Sequence, residues 1–517
     1  MVQLKNKRIK LKNKPVYLLF CNLEIENDID MILTELLRKQ IKIKLQMDNP
    51  WWETGKIFED FSNMTRRLYF NVFYPLVTDL SIRRTIILMG PRRVGKSVML
   101  YHTIEQLIKD GVKPQNIIYA SIDTPLYSGI ALEDLFSLAL ESIGDSYNGE
   151  NYYVFFDEIQ YLKNWEQHLK SLTDTYRNCR FVASGSAAAA LKKKSDESGA
   201  GRFTDFMLPP LTFAEFINLK GHQSMLNSQT INWQGVETQI SNVEDLEAFN
   251  QLFLEYINYG GYPEVAFSKT IQANPGQFIR HDIIDKVLLR DLPSLYGIQD
   301  VQELNTLFTV IAYRSGEEFS YENLSKESGV KKDTIKKYIE YLEAAFLIRV
   351  VHKVNENAKR FQRTTSFKIY LTNPSLRCAL FQPLQSNDLE MGNMVETTIF
   401  AQWIQRPSRQ VYYANWKLGR NNNGEVDLVG INIATQKPQW AVEIKWTDRF
   451  YERPEELESL KTFMTNNHLD MALVTSKTKS GAKSFTTGNL LFVPSSLYAY
   501  EVGRNTFEQR KTDFGMW

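Results

Sequence analysis

The sequence predicts an α/β fold on a parallel sheet, with further units behind it, and three observations predict this. Short apolar runs alternate with helical stretches between about residues 49 and 220, the pattern of strands joined by helical crossovers. One of those runs flows into the loop GPRRVGKS and then into an amphipathic helix. A chain of 517 residues is also too long for one core, and its character changes near residues 220, 298 and 375.

Apolar residues make up 43% and charged residues 23%, close to the averages for folded proteins, which excludes a largely disordered or fibrous chain. Lys and Arg number 61 against 60 acidic residues, so a polyanionic partner has to be met by a local surface. No stretch approaches the roughly 18 apolar residues needed to cross a bilayer. The expectation is a soluble, cytoplasmic protein without a membrane partner. Lys5 to Lys14 ahead of VYLLF imitate a secretory signal, but the apolar run is short and leads into acidic CNLEIENDID. Cys21, Cys179 and Cys378 lie far apart without CxxC spacing, and the six histidines form no paired-ligand pattern, so neither a disulfide framework nor a zinc site is expected.

Residues 1–48 read as an N-terminal extension: a strand at VYLLF, a helical pattern at MILTELLRKQI, and a turn at DNPWW. Residues 49–220 form the sheet core, with TIILMG, NIIYASI, YYVFFDE and RFVASGS as its strands. Residues 221–298 open with the polar insertion GHQSMLNSQTINWQG and continue as a helical lid. Residues 299–375 carry three helical patterns, then strand-like RVVHKV and FKIYLT. Residues 376–517 return to mixed α/β, starting with a helix around MGNMVETTIFAQW.

The loop Gly90, Pro91, Arg92, Arg93, Val94, Gly95, Lys96, Ser97, followed by Val98, has the GxxxxGK[ST] form between a strand and a helix. Consecutive backbone N–H groups there make an anion nest, and the helix N-terminus adds its positive dipole end. Lys96 is expected on the β and γ phosphates of ATP and Ser97 on Mg2+. YYVFFDEIQ ends a second strand in Asp157 and Glu158, at the sheet edge where open α/β sheets bind ligands. Asp157 is assigned to the hydrated metal and Glu158 to the attacking water. RFVASGS ends in Ser184 and Ser186, candidate γ-phosphate sensors. A cation is also expected at the transferring phosphoryl group, from the same chain or from a neighbour, with Arg202 the first candidate and Arg290 the second; a surface salt bridge is the competing role for either.

GPRRVGKS, FFDEIQYLKNWE, ASGS, LPPLTFAEF, GGYPEV and RDLPSLYG occur in this order, and together they resemble the prokaryotic, archaeal-type ATPases of the AAA superfamily that carry a C-terminal domain of unknown function. The resemblance covers about residues 50–475. It implies a P-loop core, a helical lid, a winged helix and a terminal α/β domain similar to restriction endonucleases. It also implies that Gly261, Tyr262 and Pro263 form a G-x-P element, with Pro263 against the adenine. Nothing carries over to the first 48 residues.

FSYENLSKESGVKKDTIKKYIEYLEAAFLI has helix-turn-helix spacing, with a turn at Gly329 and Lys331, Lys332, Lys336 and Lys337 on the second helix. A wing is expected in the segment after it, with Lys359, Arg360 and Arg363 near its tip. DNA contact and protein contact both suit such a unit. In the last unit GEVDLVGI and AVEIKWTD present Asp427, Glu443 and Lys445, and Glu396 lies on the preceding helix. This D…ExK set resembles the PD-(D/E)xK nuclease core: Asp427 and Glu443 suit Mg2+, and Lys445 suits a phosphate or the attacking water.

The expectation is therefore an Mg2+- and ATP-dependent ATPase that couples nucleotide state to a winged helix and a nuclease-like domain. DNA is one expected partner, and a second copy or another protein is the other. The alternative is an ATP-gated signalling or scaffold protein whose nuclease-like domain is a non-catalytic binding module.

Overall fold

The computed structural model describes residues 35–186, 201–233, 236–355, 357, 366–404, 410–417, 423–432, 434–486 and 488–513. Strands β1 (Thr85–Met89), β2 (Ile117–Ser121), β3 (Tyr152–Asp157), β4 (Cys179–Gly185) and β5 (Phe203–Met207) form one sheet in the order β2-β3-β4-β1-β5. Every pairing in it is parallel. β1 and β3 are buried along their whole length, which is why they read as unbroken apolar runs: both faces of a parallel sheet are covered. β5 is buried only at Phe203 and Phe206 at the sheet edge, and its mixed sequence FTDFM gave no strand signal. Helix α1 (Lys96–Lys109) leaves the loop after β1.

The other edge strand, β2, is closed by side chains that precede the core. Asn49 bonds both backbone groups of Tyr119, at 2.9 Å to its oxygen and 2.7 Å from its N–H. The indoles of Trp51 and Trp52 donate to Ile117 O at 2.9 and 2.8 Å. Open edge groups are templates for wrong pairing, so these residues protect the sheet as well as anchor the chain. The helical residues 35–48 bury Ile41 and Leu45 in the same core. The strand expected at VYLLF, and Cys21, lie outside the described residues.

Helix α2 (Phe213–Leu219) begins with a capping box between Thr212 and Glu215. The polar insertion is an antiparallel ribbon, β6 (Leu226–Trp233) and β7 (Val236–Val243), paired from Leu226 with Val243 to Trp233 with Val236. It reads as loop because a ribbon outside any larger sheet needs no apolar face. Helix α3 (Leu246–Tyr259), a short helix Pro263–Phe267 and π-helical segments Gly276–Asp285 and Val287–Asp291 follow.

Next come α4 (Val301–Tyr313), β8 (Glu318–Ser320), α5 (Tyr321–Ser328), α6 (Lys332–Ala344), β9 (Ile348–Val354) and β10 (Ser366–Leu371), with β10 between β8 and β9 and antiparallel to both. Lys359, Arg360 and Arg363 lie outside the described residues. The terminal unit runs α7 (Met391–Ile404), β11 (Val411–Lys417), β12 (Asn423–Ile431), β13 (Pro438–Glu443), β14 (Met471–Ser476), β15 (Gly481–Phe485), β16 (Gly488–Pro494) and α8 (Ser495–Asp513).

These two units share one nine-stranded sheet, β15-β16-β14-β13-β12-β11-β9-β10-β8. The join is a short parallel pairing of β9 with β11, Lys353 opposite Tyr413 and Val354 opposite Ala414. So brief a ladder has no sequence signature, and the units read as separate. The terminal unit also docks on the core side of the chain: the Gln402 side chain accepts from Phe213 N–H at 2.9 Å, and Glu501 accepts from Ser241 N–H. No helix among the described residues is long and apolar enough to cross a membrane.

Candidate functional site

The chain turns after Met89 at Gly90, where a Cβ would overlap the carbonyl oxygen of Leu208. Arg93 and Gly95 then adopt positive φ, 64° and 93°, and the loop curls so that α1 starts at Lys96 with its N-terminus at the carboxyl edge of the sheet. Arg67 braces the loop from outside. Its guanidinium donates to Val94 O at 2.9 Å and Pro209 O at 2.8 Å, and it pairs with buried Glu215 at 2.6 Å.

Lys96 is 5% exposed and donates to Gly90 O and Pro91 O at 3.1 and 3.0 Å. Burial pulls its pKa down against the opposing pull of Glu158 and Asp157. Ser97 Oγ donates to Asp157 Oδ2 at 2.6 Å, and the Tyr119 hydroxyl donates to the same oxygen at 2.9 Å. Ser184 Oγ donates to Asp157 Oδ1 and accepts from Glu158 N–H, the latter at 3.2 Å. Glu158 sits in the left-handed region, φ 53°, with its carboxylate accepting from Gln160. Ser186 is buried beside Gln160, whose side-chain oxygen accepts its N–H at 3.1 Å. Strand ends and one loop thus bring Lys96, Ser97, Asp157, Glu158, Ser184 and Ser186 to one edge.

Residues 263–291 are clasped to the loop by the loop's two arginines. Arg92 pairs with Asp291 through Nε at 2.8 Å and a terminal nitrogen at 2.9 Å. Arg93 reaches Glu264 at 3.1 Å and Asp282 at 3.0 Å. Pro263 begins the short helix just before Glu264, so this helix start is adjacent to the loop. Gly261 packs on the Asn373 side chain, and Tyr262 is fully buried. Glu264, Asp282, Asp291 and Arg67 were not anticipated; their only signal in sequence is charge, without spacing to mark the pairs.

Arg202 lies elsewhere. It precedes β5, its carbonyl accepts from Thr85 N–H at the start of β1, and its side chain pairs with Asp174 at 2.7 Å. The loop follows the far end of β1, so Arg202 stands at the opposite edge of the sheet from the phosphate loop of its own chain. Arg290 is exposed beside Asp291.

In the terminal unit, β12 and β13 pair antiparallel and bring Asp427, Glu443 and Lys445 together. Lys445 Nζ lies 2.8 Å from Glu443 and 3.3 Å from Asp427, whose other partner is Ile444 N–H at 2.8 Å. Glu396, on α7, accepts from Lys368 at 2.9 Å and from the Tyr370 hydroxyl at 2.6 Å. Lys368 also pairs with Glu425 at 2.7 Å and approaches Asp427 to 4.0 Å. Burial, with the charges of Asp427 and Glu425, pushes the Glu443 carboxyl up to about 7 against Lys445. Burial likewise raises Glu396. Burial opposes the charge of Asp427 too, but Lys445 and Lys368 hold its carboxyl below the usual range.

The expected metal role of Asp427 and Glu443 is not what this arrangement presents. An ammonium group stands between these two carboxylates, and a second one stands between Glu396 and Glu425. Among the described residues, no three His, Cys, Asp or Glu side chains come together so as to hold a metal ion. Lys368 was not anticipated, because it comes from a different unit of the chain.

Among known proteins, residues 82–217 match the family described as AAA domain, and residues 250–388 match a Domain of unknown function (DUF8612). An uncharacterized protein of Haemophilus influenzae is 25% identical over 326 residues, 62% of this chain and 74% of that protein. The uncharacterized protein MJ1544 of Methanocaldococcus jannaschii is 25% identical over 389 residues, 74% of this chain and 80% of its own length. Solved structures with weaker likeness include the Aeropyrum pernix Orc1 protein in complex with DNA, 10% identical over 64% of this chain and 95% of that one, with a TM-score of 0.31. AMPPCP-bound DnaA from Aquifex aeolicus is 13% identical over 55% of this chain and 90% of that one, with a TM-score of 0.28. With the five-stranded parallel sheet and the loop geometry, the first match makes residues 82–217 an AAA-type P-loop domain.

Proposed function

We propose that the chain binds MgATP and hydrolyses it, and that nucleotide state governs how the lid segment, the 301–371 unit and the terminal unit sit on the core. The observation that carries this reading is the 2.6 Å contact of Ser97 Oγ with Asp157 Oδ2 at the carboxyl ends of β1 and β3, with Lys96 and Glu158 adjoining. A hydroxyl and a carboxylate oxygen in contact there suit a hydrated magnesium ion, so the residues fit that cofactor. Magnesium bound with ATP supplies charge neutralisation on the phosphates.

The chain's own groups do the rest. Loop N–H groups hold phosphate oxygens, and Lys96 exchanges the carbonyls of Gly90 and Pro91 for the β and γ phosphates. Glu158, turned out by its left-handed backbone, takes the proton of the attacking water, while Ser184 fixes Asp157 and Glu158 together. Pro263 lies on the adenine. Arg202, at the far edge of the sheet, reaches a γ-phosphate only in a neighbouring copy, which makes a homo-oligomer part of the reading.

The order helix, strand, two helices and two strands in 301–371 reads as a winged helix. Lys331, just before α6, and Lys332, Lys336 and Lys337 on it are exposed, and Lys332 and Lys336 are tied to Glu322 and Asp333. Lys331 and Lys337 remain for DNA phosphates. A second reading, an ATP-gated scaffold whose nuclease-like unit binds rather than cleaves, is favoured by the ammonium groups among the terminal carboxylates. The test is ATP turnover by the purified chain, with and without duplex and single-stranded DNA, beside DNA cleavage in Mg2+ or Mn2+. DNA-stimulated turnover supports the first reading, and turnover indifferent to DNA with no cleavage supports the second. Absence of turnover in every condition rejects both.

A further inference from the structure

The carboxyl edge of the five-stranded sheet carries the phosphate loop, and its amino edge carries a second concavity. Parallel pairing of β1 with β4, Ile86 opposite Val182, sets the segments that enter these strands side by side. Between residues 80–85 and 173–181 lies a cavity of about 120 Å³, with Asn151 completing its wall. About 10–15 Å³ of such space admits one water, so the cavity has room for a small hydrated anion. β1 is five residues long, which separates it by roughly 16 Å from the phosphate loop.

The charge there is one-sided. Arg83, Arg84, Arg177 and Arg180 are in the lining, and no Asp or Glu is. Arg83, Arg84 and Arg177 are exposed and form no ion pair among the described residues. Arg180 is 4% exposed. Its guanidinium donates to the carbonyls of Val77 at 3.1 Å, Ile82 at 3.0 Å and Arg84 at 2.7 Å, and to that of Asp79. Those bonds fix the segment that carries Arg83 and Arg84, and they neutralise no charge. The acidic residues that flank the lining have partners of their own. Asp79 accepts from Ser81 N–H at 2.9 Å, Glu150 lies 3.4 Å from Lys113, and Asp174 pairs with Arg202 at 2.7 Å.

Three unpaired guanidinium groups around a cavity, on a segment held by a fourth, suit an oxyanion, because each offers a fork of donors that matches phosphate oxygens. Charge over the whole chain is balanced, so a polyanion needs a local surface of this kind. The lysines of α6 are weaker in this respect, since two of them are already tied to carboxylates. We propose that this cavity binds a phosphate group, apart from the nucleotide, and that Arg83, Arg84 and Arg177 hold its oxygens. The group belongs to a nucleic-acid backbone or is inorganic phosphate, which the same donors recognise. Neither ATP hydrolysis nor the nuclease-like reading is needed for it.

The experiment compares the full-length wild type with Arg83→Gln combined with Arg177→Gln. The control is Lys39→Gln combined with Lys437→Gln, which removes equal charge from exposed lysines outside the cavity. All four positions are exposed and unpaired, so folding is retained, and matching thermal melts check it. Saturating MgAMPPCP keeps the phosphate loop filled. Inorganic phosphate is titrated by calorimetry, and a fluorescent single-stranded oligonucleotide and its duplex by anisotropy. Expected is phosphate binding by wild type and control, weakened roughly tenfold or more in the arginine variant. DNA affinity that falls with it, with a single-strand salt dependence shallower by about 1.4 for two lost contacts, makes the backbone the source. Unchanged DNA affinity beside weakened phosphate binding makes free phosphate the source, and either result supports the site. Absent or equal binding of both ligands in all three proteins, or an equal loss in the control, overturns it. A chain that takes up no AMPPCP breaks the ATP reading instead. The arginine comparison then still stands, because the phosphate loop is the same in all three proteins.

Discussion

The nucleotide site and the terminal centre are built from the same parts, carboxylates beside a lysine, and differ in what surrounds the carboxylates. Asp157 is held by three hydroxyls, from Ser97, Tyr119 and Ser184, while Lys96 rests on backbone carbonyls that a phosphate can replace. In the terminal centre, lysines take the middle and the carboxylates close around them. Neutral donors leave a site ready for a charged ligand. Cations supplied by the chain have already answered that need.

The contrast breaks most sharply at Lys96. Lys96→Ala removes the charge on the β and γ phosphates and leaves strand and helix intact, so ATP turnover is expected to fall about 10²- to 10³-fold. Steady-state phosphate release checks it, and near-wild-type turnover would reject the assignment. Glu158→Gln comes next: the amide keeps the shape but accepts a proton poorly, and turnover drops roughly 10²-fold with MgATP affinity retained. Asp157→Asn is expected to shift the magnesium requirement instead. Equal behaviour of the two variants in a magnesium titration would dissolve their separate roles.

This difference also explains what could be read in advance. The phosphate loop is eight consecutive residues after an apolar strand, and its geometry follows from local backbone needs such as the close approach at Gly90. Asp157 and Glu158 were legible for the same reason, as the end of a fully buried strand. The terminal D…ExK set was legible as a set, but its state was not, because Lys368 arrives from β10 through a tertiary contact. Arg202 failed as a residue of its own chain's site because sequence order does not say which edge of a sheet a strand's first residue occupies. The same limit hid the β9 to β11 join, which consists of two paired positions.

Sharpening the comparison on the terminal side calls for pH. Burial and neighbouring charges raise the folded Glu443 carboxyl to about 7 from an ordinary 4.5. The folded state therefore holds a proton that the unfolded state releases, so this stabilisation is full below about pH 4.5 and is lost as pH rises through about 7. The amount is roughly 3 kcal/mol. Glu443→Gln, neutral at every pH, is expected to match wild type in urea melts near pH 4.5 and to exceed it above pH 7. A wild-type advantage that grows with pH would show that Lys445, and not burial, governs this carboxyl.

The smallest effect concerns the clasp between loop and lid. Arg92 and Asp291 form a two-point pair, each side chain about one fifth exposed at 20% and 18%. An exposed ion pair contributes little, but the partly buried bidentate form holds its geometry at lower entropic cost. A double-mutant cycle of Arg92→Ala and Asp291→Ala is expected to give a coupling of about 1 kcal/mol in stability without nucleotide. The pair also ties the phosphate loop to the lid, so ATP drawing Arg92 toward its phosphates competes with Asp291. Asp291→Ala alone should then bind nucleotide severalfold more tightly, while Arg92→Ala binds more weakly. If both single variants weaken binding equally and the coupling persists at saturating ATP, the clasp is a fixed part of the site, and the lid does not sense the phosphates through it.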